Sequence, residues 1–442
     1  MTNIQTVLSQ QLTDVISTPL PTLTRRDVRL PQVPGKAIAV IGVRRGGKTS
    51  FLYQCLADRL AAGQPRDSLL LLGLEDDRLS GITTDDLSWL VEEYYRRFPA
   101  RRAKETVTLC LDEIQVVPAW ERFVRRLADT EKIELLLSGS SAKLLSREIA
   151  TSLRGRAMEA LVHPFSFREV LRHARAEPDV PWAELGNAER LLLNTHLREY
   201  LNCGGFPEAQ GRTVRDRQKL LQGYVDTMVL RDVIDRHAVS NTVALRWLQR
   251  ELLANPAGMF SINKFFNTLK SQGVSVGKDT LHAYLGHLED SFMIRTAALH
   301  TTSERKRMVN PRKAYPVDPG LIPLFQRTQE PQTGHALETA VMLELERREY
   351  RVGYVRTKDD HEVDFHASAP GRETLLVQVC ADTSVVSTLD RELRALASAR
   401  AEYPRARALM LTMDEVPPSA TLPPHVEWQS AASWLLEEEE RA

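Results

Sequence analysis

From Lys36 to about Val170, short apolar runs bounded by polar or glycine residues alternate with amphipathic stretches of helical period. The runs Ala37–Ile41, Leu69–Leu74, Val107–Leu111 and Ile133–Leu137 are apolar at nearly every position and too short for helices, which predicts buried strands. Strands alternating with helices are the signature of βαβ units, so this region predicts an α/β domain with a parallel sheet. From Phe165 to about Asp235 the period is helical, with a loop at Pro178 and Pro181 and a sharp break at Gly204-Gly205-Phe206-Pro207. Helices follow from about Leu245, a strand-rich stretch lies around Arg295 to Pro316, and a further α/β segment opens near His335. The chain therefore divides into an N-terminal arm at 1–33, an α/β core at 34–164, a helical lid at 165–240, a helical unit ending in strands at 241–328, and a second α/β unit at 329–442.

The chain of 442 residues exceeds one ordinary core, and domains of ~100–200 residues predict two to four of them. Hydrophobic residues at 43% and charged residues at 26% suit a soluble globular protein, and no run reaches the ~18 consecutive apolar residues of a membrane span. The first residues lack the basic start and apolar run of a secretory signal, which predicts a cytoplasmic protein. Cys55, Cys110, Cys203 and Cys380 show neither the spacing of a zinc site nor the density of a disulfide framework. Lys plus Arg equals Asp plus Glu, 58 of each, so any attraction for nucleic acid has to be local.

Candidate chemistry begins at Gly42-Val43-Arg44-Arg45-Gly46-Gly47-Lys48-Thr49-Ser50, which matches G-x-x-x-x-G-K-[ST] between an apolar strand and a helical pattern. The glycines permit a tight loop whose N–H groups surround phosphate oxygens at a helix N-terminus. Lys48 is expected to contact the β and γ phosphates of ATP, and Thr49 to place its hydroxyl on Mg²⁺. A second apolar strand ends in Asp112-Glu113, which suits Asp112 to hold Mg²⁺ through water and Glu113 to polarise an attacking water. A third runs into Ser138-Gly139-Ser140-Ser141, where Ser138 or Ser140 would sense the γ-phosphate, the alternative being that Ser140 or Ser141 caps a helix. Arg156, and second to it Arg154, would complete a neighbouring subunit's site, the alternative being a surface ion pair.

Taken together, these motifs, with Pro164-Phe165-Ser166-Phe167-Arg168-Glu169 and Gly204-Gly205-Phe206-Pro207-Glu208, resemble the prokaryotic AAA-type P-loop ATPases. That family carries a C-terminal domain of unknown function built from a winged helix and a restriction-endonuclease-like module, and the resemblance covers roughly residues 36 to 415. It implies an ATPase using ATP and Mg²⁺, a homo-oligomer in the form of a hexameric ring, and a lid in which Gly205 and Pro207 lie near the nucleotide.

Within 241–328, Ser261–Leu269 resembles the first helix of a helix-turn-helix, and a second follows from about Asp279 to Phe292. Lys278, Arg305, Lys306, Arg307, Arg312 and Lys313 make the best local basic patch and are expected to contact DNA phosphates. Within 329–442, Glu338, Asp364 and the strand Leu375–Cys380 resemble a PD-(D/E)xK nuclease core, with Gln378 and Cys380 standing where an acid and the lysine belong. Loss of both predicts a catalytically degenerate module. The leading expectation is an oligomeric Mg²⁺-dependent ATPase that couples hydrolysis to DNA remodelling or translocation; the alternatives are a nucleotide-controlled signalling switch that recruits a protein partner and, third, a metal-dependent nuclease.

Overall fold

The computed structural model describes residues 3–102, 105–139, 155–326, 332–418 and 421–437, and divides into two compact units, Met1–His163 and Pro164–Ala442. Among the described residues, no helix is long and apolar enough to cross a membrane.

Unit 1 is built on a five-stranded sheet in the order β2-β3-β4-β1-β5, with β1 Ala37–Ile41, β2 Leu69–Gly73, β3 Val107–Asp112, β4 Ile133–Gly139 and β5 Ala157–Leu161. Every pairing is parallel. The four apolar runs of the sequence are the first four strands, and β1 and β3 are buried along their whole length. The fifth was not anticipated, because its sequence Ala-Met-Glu-Ala-Leu lies at a sheet edge and mixes polar and apolar positions. The α-helices of the unit among the described residues are α1 (Asn3–Ser17), α2 (Lys48–Ala61), α3 (Thr84–Arg97) and α4 (Trp120–Thr130). Phe51, Leu52, Cys55 and Leu56 of α2 pack on Ile38, Val40, Leu69, Leu71, Cys110 and Leu136 of the sheet. Parallel pairing places the carboxyl ends of β1, β3 and β4 along one edge, so the residues after Ile41, at Asp112 and at Ser138 converge.

Unit 2 opens with α5 (Phe167–His173), α6 (Asn187–Cys203) and α7 (Val214–Thr227), the last continuing into a π-helical segment, Met228–Asp235. It continues through α8 (Thr242–Ala254), β6 (Met259–Phe260), α9 (Ile262–Ser271), α10 (Lys278–Asp290), β7 (Ile294–Leu299), α11 (Glu304–Val309) and β8 (Arg312–Pro316). The remaining labelled elements are α12 (Thr333–Arg347), β9 (Arg351–Arg356), β10 (Glu362–Ser368), β11 (Leu375–Cys380), α13 (Val386–Glu402), β12 (Arg407–Thr412), β13 (Val426–Ser430) and α14 (Ala431–Leu436). Eight strands form one mixed sheet, β13-β12-β11-β10-β9-β7-β8-β6.

Unit 2 also departs from the sequence reading. The boundary placed at 328/329 divides a continuous sheet, because β7 pairs in parallel with β9 at Ala298↔Gly353 and Leu299↔Tyr354. The expected lid helices share the same core: Phe167, Leu197 and Tyr200 cluster with Tyr315 of β8, Leu337 of α12, Phe365 of β10 and Trp434 of α14. Hydrophobic period shows which face of an element is buried and leaves its partner unspecified.

Candidate active site

The loop after β1 is held open by backbone geometry. Gly42 has φ 149° and lies so close to Val162 that a Cβ would stand 2.1 Å from its carbonyl oxygen. Gly47, at φ 100°, turns the chain into α2, and the Gly46 N–H donates to Val43 O at 3.1 Å. Lys48 is 5% exposed, and its ammonium donates to the carbonyls of Gly42 and Val43, both at 3.2 Å, so its charge lies across the loop. Arg44 faces Glu75 at 3.6 Å, Val43 is buried, Arg45 is exposed with φ 64°, and Ser50 is half-buried in the first turn of α2. Successive loop amides above a helix N-terminus attract an anion.

At the end of β3, Asp112 Oδ2 accepts from the Thr49 hydroxyl at 2.7 Å. The other oxygen of Asp112 accepts from the Ser138 hydroxyl. Burial raises the Asp112 carboxyl above its ordinary pKa, opposed by the hydrogen bonds from Ser138 and Thr49. Glu113 adopts a left-handed conformation, φ 56°, with its N–H on Ser138 Oγ at 2.9 Å and its carboxylate accepting from Gln115. Ser138 is fully buried between these two acids, so it sets their positions and offers no exposed hydroxyl to a phosphate, which corrects the sensor role expected of it. Ser140 and Arg154 lie outside the described residues. Arg156 is partly exposed and pairs with Asp129.

The Gly204–Pro207 turn has a packing duty inside unit 2. A Cβ on Gly204 would stand 1.7 Å from Asp318 Oδ1, and one on Gly205 would stand 2.0 Å from the Phe165 carbonyl oxygen. The Gly205 N–H donates to Asp318 Oδ2 at 2.6 Å, the Gly320 N–H to Oδ1 at 2.9 Å, and Gly205 O accepts from the Phe165 N–H at 2.7 Å. Pro207 opens a short turn, Pro207–Ala209, beside the buried Phe206.

Of the six residues expected to contact DNA, Lys278, Arg305, Lys306 and Arg307 are exposed, with Lys278 over the Phe266 ring at 5.2 Å and Arg307 beside Glu304 at 3.3 Å. Arg312 is partly exposed and 3.8 Å from Glu289. Lys313 is not a surface cation. It is 3% exposed, and its ammonium lies 3.0 Å from Glu338, 2.9 Å from Glu362 and 2.8 Å from Asp364. Tyr315, two residues on and on the same face of β8, donates to Glu338 at 2.9 Å. Burial works against the ammonium, but Asp364, Tyr315, Glu338 and Glu362 outweigh it and hold Lys313 well above its usual pKa. Burial and the Asp364 charge together push Glu338 up, against the pull of Lys313. Gln378 accepts from the Asp364 N–H at 3.2 Å and donates to Glu392 at 2.7 Å, and Cys380 donates to Asp382 O at 3.3 Å. The cation that faces Glu338, Glu362 and Asp364 is thus Lys313 of β8. Its period-2 partnership with Tyr315 was the one sequence signal of an inward side chain.

A strand-loop-helix phosphate cradle on a parallel sheet, with Thr49 bonded to an aspartate at the adjoining strand ends, defines a P-loop AAA-type ATPase domain. Residues 34–171 match the family model described as an AAA domain, and residues 194–332 match one described as a domain of unknown function. An uncharacterized protein of Methanocaldococcus jannaschii is 33% identical over 378 residues, 84% of this chain and 80% of that protein. Another from Haemophilus influenzae is 30% identical over 341 residues, 77% of this chain and 81% of that one. The chain belongs to the family that these relatives represent, and its AAA domain spans residues 34–171. Among solved structures, the Walker-type ATPase of Pyrococcus abyssi is 17% identical, with 72% of this chain and 94% of that one covered and a TM-score of 0.37.

Two predictions concern the buried charges. Lys313→Met leaves three carboxylates around an apolar group and is expected to destabilise the protein by about 3–5 kcal/mol in chemical denaturation, partly recovered by adding Glu338→Gln. Burial raises Asp318 from 3.8 to about 7, against the hydrogen bonds from Gly205 and Gly320 and the Arg347 charge. The native state therefore binds this proton more tightly than the unfolded chain. Its stabilising contribution is full below the unfolded pKa, falls as pH rises toward the folded value, and is constant above it. Wild type is expected to lose stability relative to Asp318→Asn as pH rises through that window, read from urea midpoints; parallel pH profiles would show that burial does not shift Asp318.

Proposed function

We propose that this protein is an oligomeric Mg²⁺-dependent ATPase that hydrolyses ATP to ADP and phosphate and couples turnover to a DNA substrate through unit 2. The carrying observation is the Thr49–Asp112 hydrogen bond beside the Lys48 loop. A hydroxyl and a buried carboxylate 2.7 Å apart are hard oxygen donors of the kind Mg²⁺ takes, so Thr49 and Asp112, the latter through water, are the residues that would hold it. Bound there, the ion supplies charge neutralisation on the β and γ phosphates.

The loop amides of residues 43–49 and the first turn of α2 at Ser50 hold the phosphates, and Lys48 leaves the Gly42 and Val43 carbonyls for the β and γ oxygens. Glu113, steadied by Gln115, orients a water and takes its proton as the water oxygen bonds to the γ phosphorus and the β–γ bridging oxygen leaves with ADP. Ser138 keeps Asp112 and Glu113 in register. Arg156, with Arg154, completes the site of a neighbouring subunit, and Ser140 reads the γ-phosphate. A hexameric ring is the assembly that the AAA class suggests.

The DNA reading takes the run α8-β6-α9-α10-β7-α11-β8, in which β8 pairs antiparallel with both β6 and β7, as a winged helix. Exposed Lys278, Arg305, Lys306 and Arg307 flank its last helix and its β7–β8 connection. Beyond it, α12-β9-β10-β11-α13-β12 follows the order of a nuclease-like core, here read as a binding module because Lys313 neutralises its acids.

Lys48→Ala is expected to weaken ATP binding at least about tenfold, while Glu113→Gln binds ATP normally and slows hydrolysis by roughly 100-fold or more in single-turnover assays. Unaltered turnover in both variants would remove this site assignment. Duplex, single-stranded or branched DNA should stimulate turnover, with an increment that fades as salt rises and is lost in the triple variant Arg305→Glu, Lys306→Glu, Arg307→Glu. No response to any DNA, combined with assembly that changes between ATP and ADP in native mass measurements, would favour a nucleotide-controlled signalling switch.

A further inference from the structure

Arg26 lies in the lead-in between α1 and β1, outside every motif of the sequence, yet it is 4% exposed and its guanidinium is built into the phosphate loop. One terminal nitrogen donates to the Gly46 carbonyl at 3.0 Å, and the other donates to the carbonyl of His163. The main chain of Arg26 is clamped by one side chain of α2: its N–H donates to Gln54 Oε1 at 2.6 Å, and its carbonyl accepts from Gln54 Nε2 at 3.0 Å. His163 is fixed in turn through Val162, whose N–H bonds Ile41 O at 2.8 Å and whose carbonyl packs on Gly42. The arginine is therefore anchored at its backbone to the helix that begins with Lys48, and at its head to the loop that precedes it.

The peptide it holds is the softest in the loop. It joins two glycines, and no Cβ on either side resists its rotation. In a trans peptide the carbonyl and the following N–H point in opposite directions, so drawing Gly46 O toward Arg26 turns the Gly47 N–H away from it. A guanidinium stays charged at every physiological pH and donates in a planar fork, which suits it to hold two carbonyls at once.

We propose that Arg26 is a positioning residue of the nucleotide site: it locks the Gly46–Gly47 peptide so that the Gly47 N–H is presented to the β-phosphate. This role rests on the reading of the loop as a nucleotide site and adds to it a residue that no phosphate-loop motif contains. Loop amides cradle the β-phosphate that AMP lacks, so losing this lock weakens ADP binding selectively.

The test is competition binding of ADP and of AMP, with Mg²⁺, to the full chain and to Arg26→Met, Arg26→Lys and Lys48→Ala. Arg26→Met should lose about tenfold in ADP affinity while AMP affinity stays within about twofold, so that the ADP-to-AMP ratio collapses. Arg26→Lys, able to hold one carbonyl of the two, should recover part of the ratio. Should Arg26→Met fail to fold, Arg26→Lys and Gln54→Ala are read the same way, each lowering the ratio in a folded protein. Equal loss for both nucleotides, or a wild-type ratio in the folded variants, would overturn the role. Wild type and Arg26→Met binding ADP alike, with Lys48→Ala defective, would remove this role alone. Absence of ADP binding by wild type, matched by Lys48→Ala, would remove the nucleotide reading and this role with it.

Discussion

A hydrogen bond of 2.7 Å from Thr49 to Asp112 joins the first turn of α2 to the end of β3, although β4 separates β3 from β1, the strand that leads into α2. It forms because all these strands run the same way, which brings a helix start and a strand end to one edge. Asp112 is buried there with its charge opposed by desolvation, and it stays in place through the hydroxyls of Thr49 and Ser138. Glu113 then has only one course: its left-handed backbone and its N–H on Ser138 send its carboxylate out toward Gln115. Two adjacent acids acquire different environments from one serine that touches both.

The loop opposite is held from behind. Val162 presses on Gly42, and Arg26 spans the Gly46 and His163 carbonyls, so the loop backbone is shaped by residues packed behind it. Such support restrains the loop before an anion arrives and lowers the ordering cost of binding it. The buried Lys48 ammonium is bonded meanwhile to the carbonyls of Gly42 and Val43.

Unit 2 uses buried charge differently. Lys313 meets three carboxylates within a continuous sheet, and Asp318 receives two backbone N–H groups from glycines whose neighbours leave no room for a side chain. Both are long-range clasps: Lys313 on β8 reaches α12 and β10, and Asp318 reaches the turn after α6. Breaking either leaves a desolvated group behind, which is why these positions couple segments that hydropathy alone reads as separate domains.

By itself the sequence determined the elements and their chemistry wherever the signal was local. A continuous apolar run marks a strand buried on both faces, as in β1 and β3, and the glycines around Lys48 mark a backbone shape that other residues resist. It was silent where the outcome depends on a distant partner. β5 carries Glu159 at an edge and shows no strand period, Arg26 sits in a proline-marked lead-in that resembles an arm, and Lys313 counts as one more cation in a basic run until three acids surround it. The same holds for Ser138, whose hydroxyl is spent inside the sheet on Asp112 and Glu113. Periodicity and spacing report the environment that a residue demands; only the tertiary structure decides which group, often more than a hundred residues away, provides it.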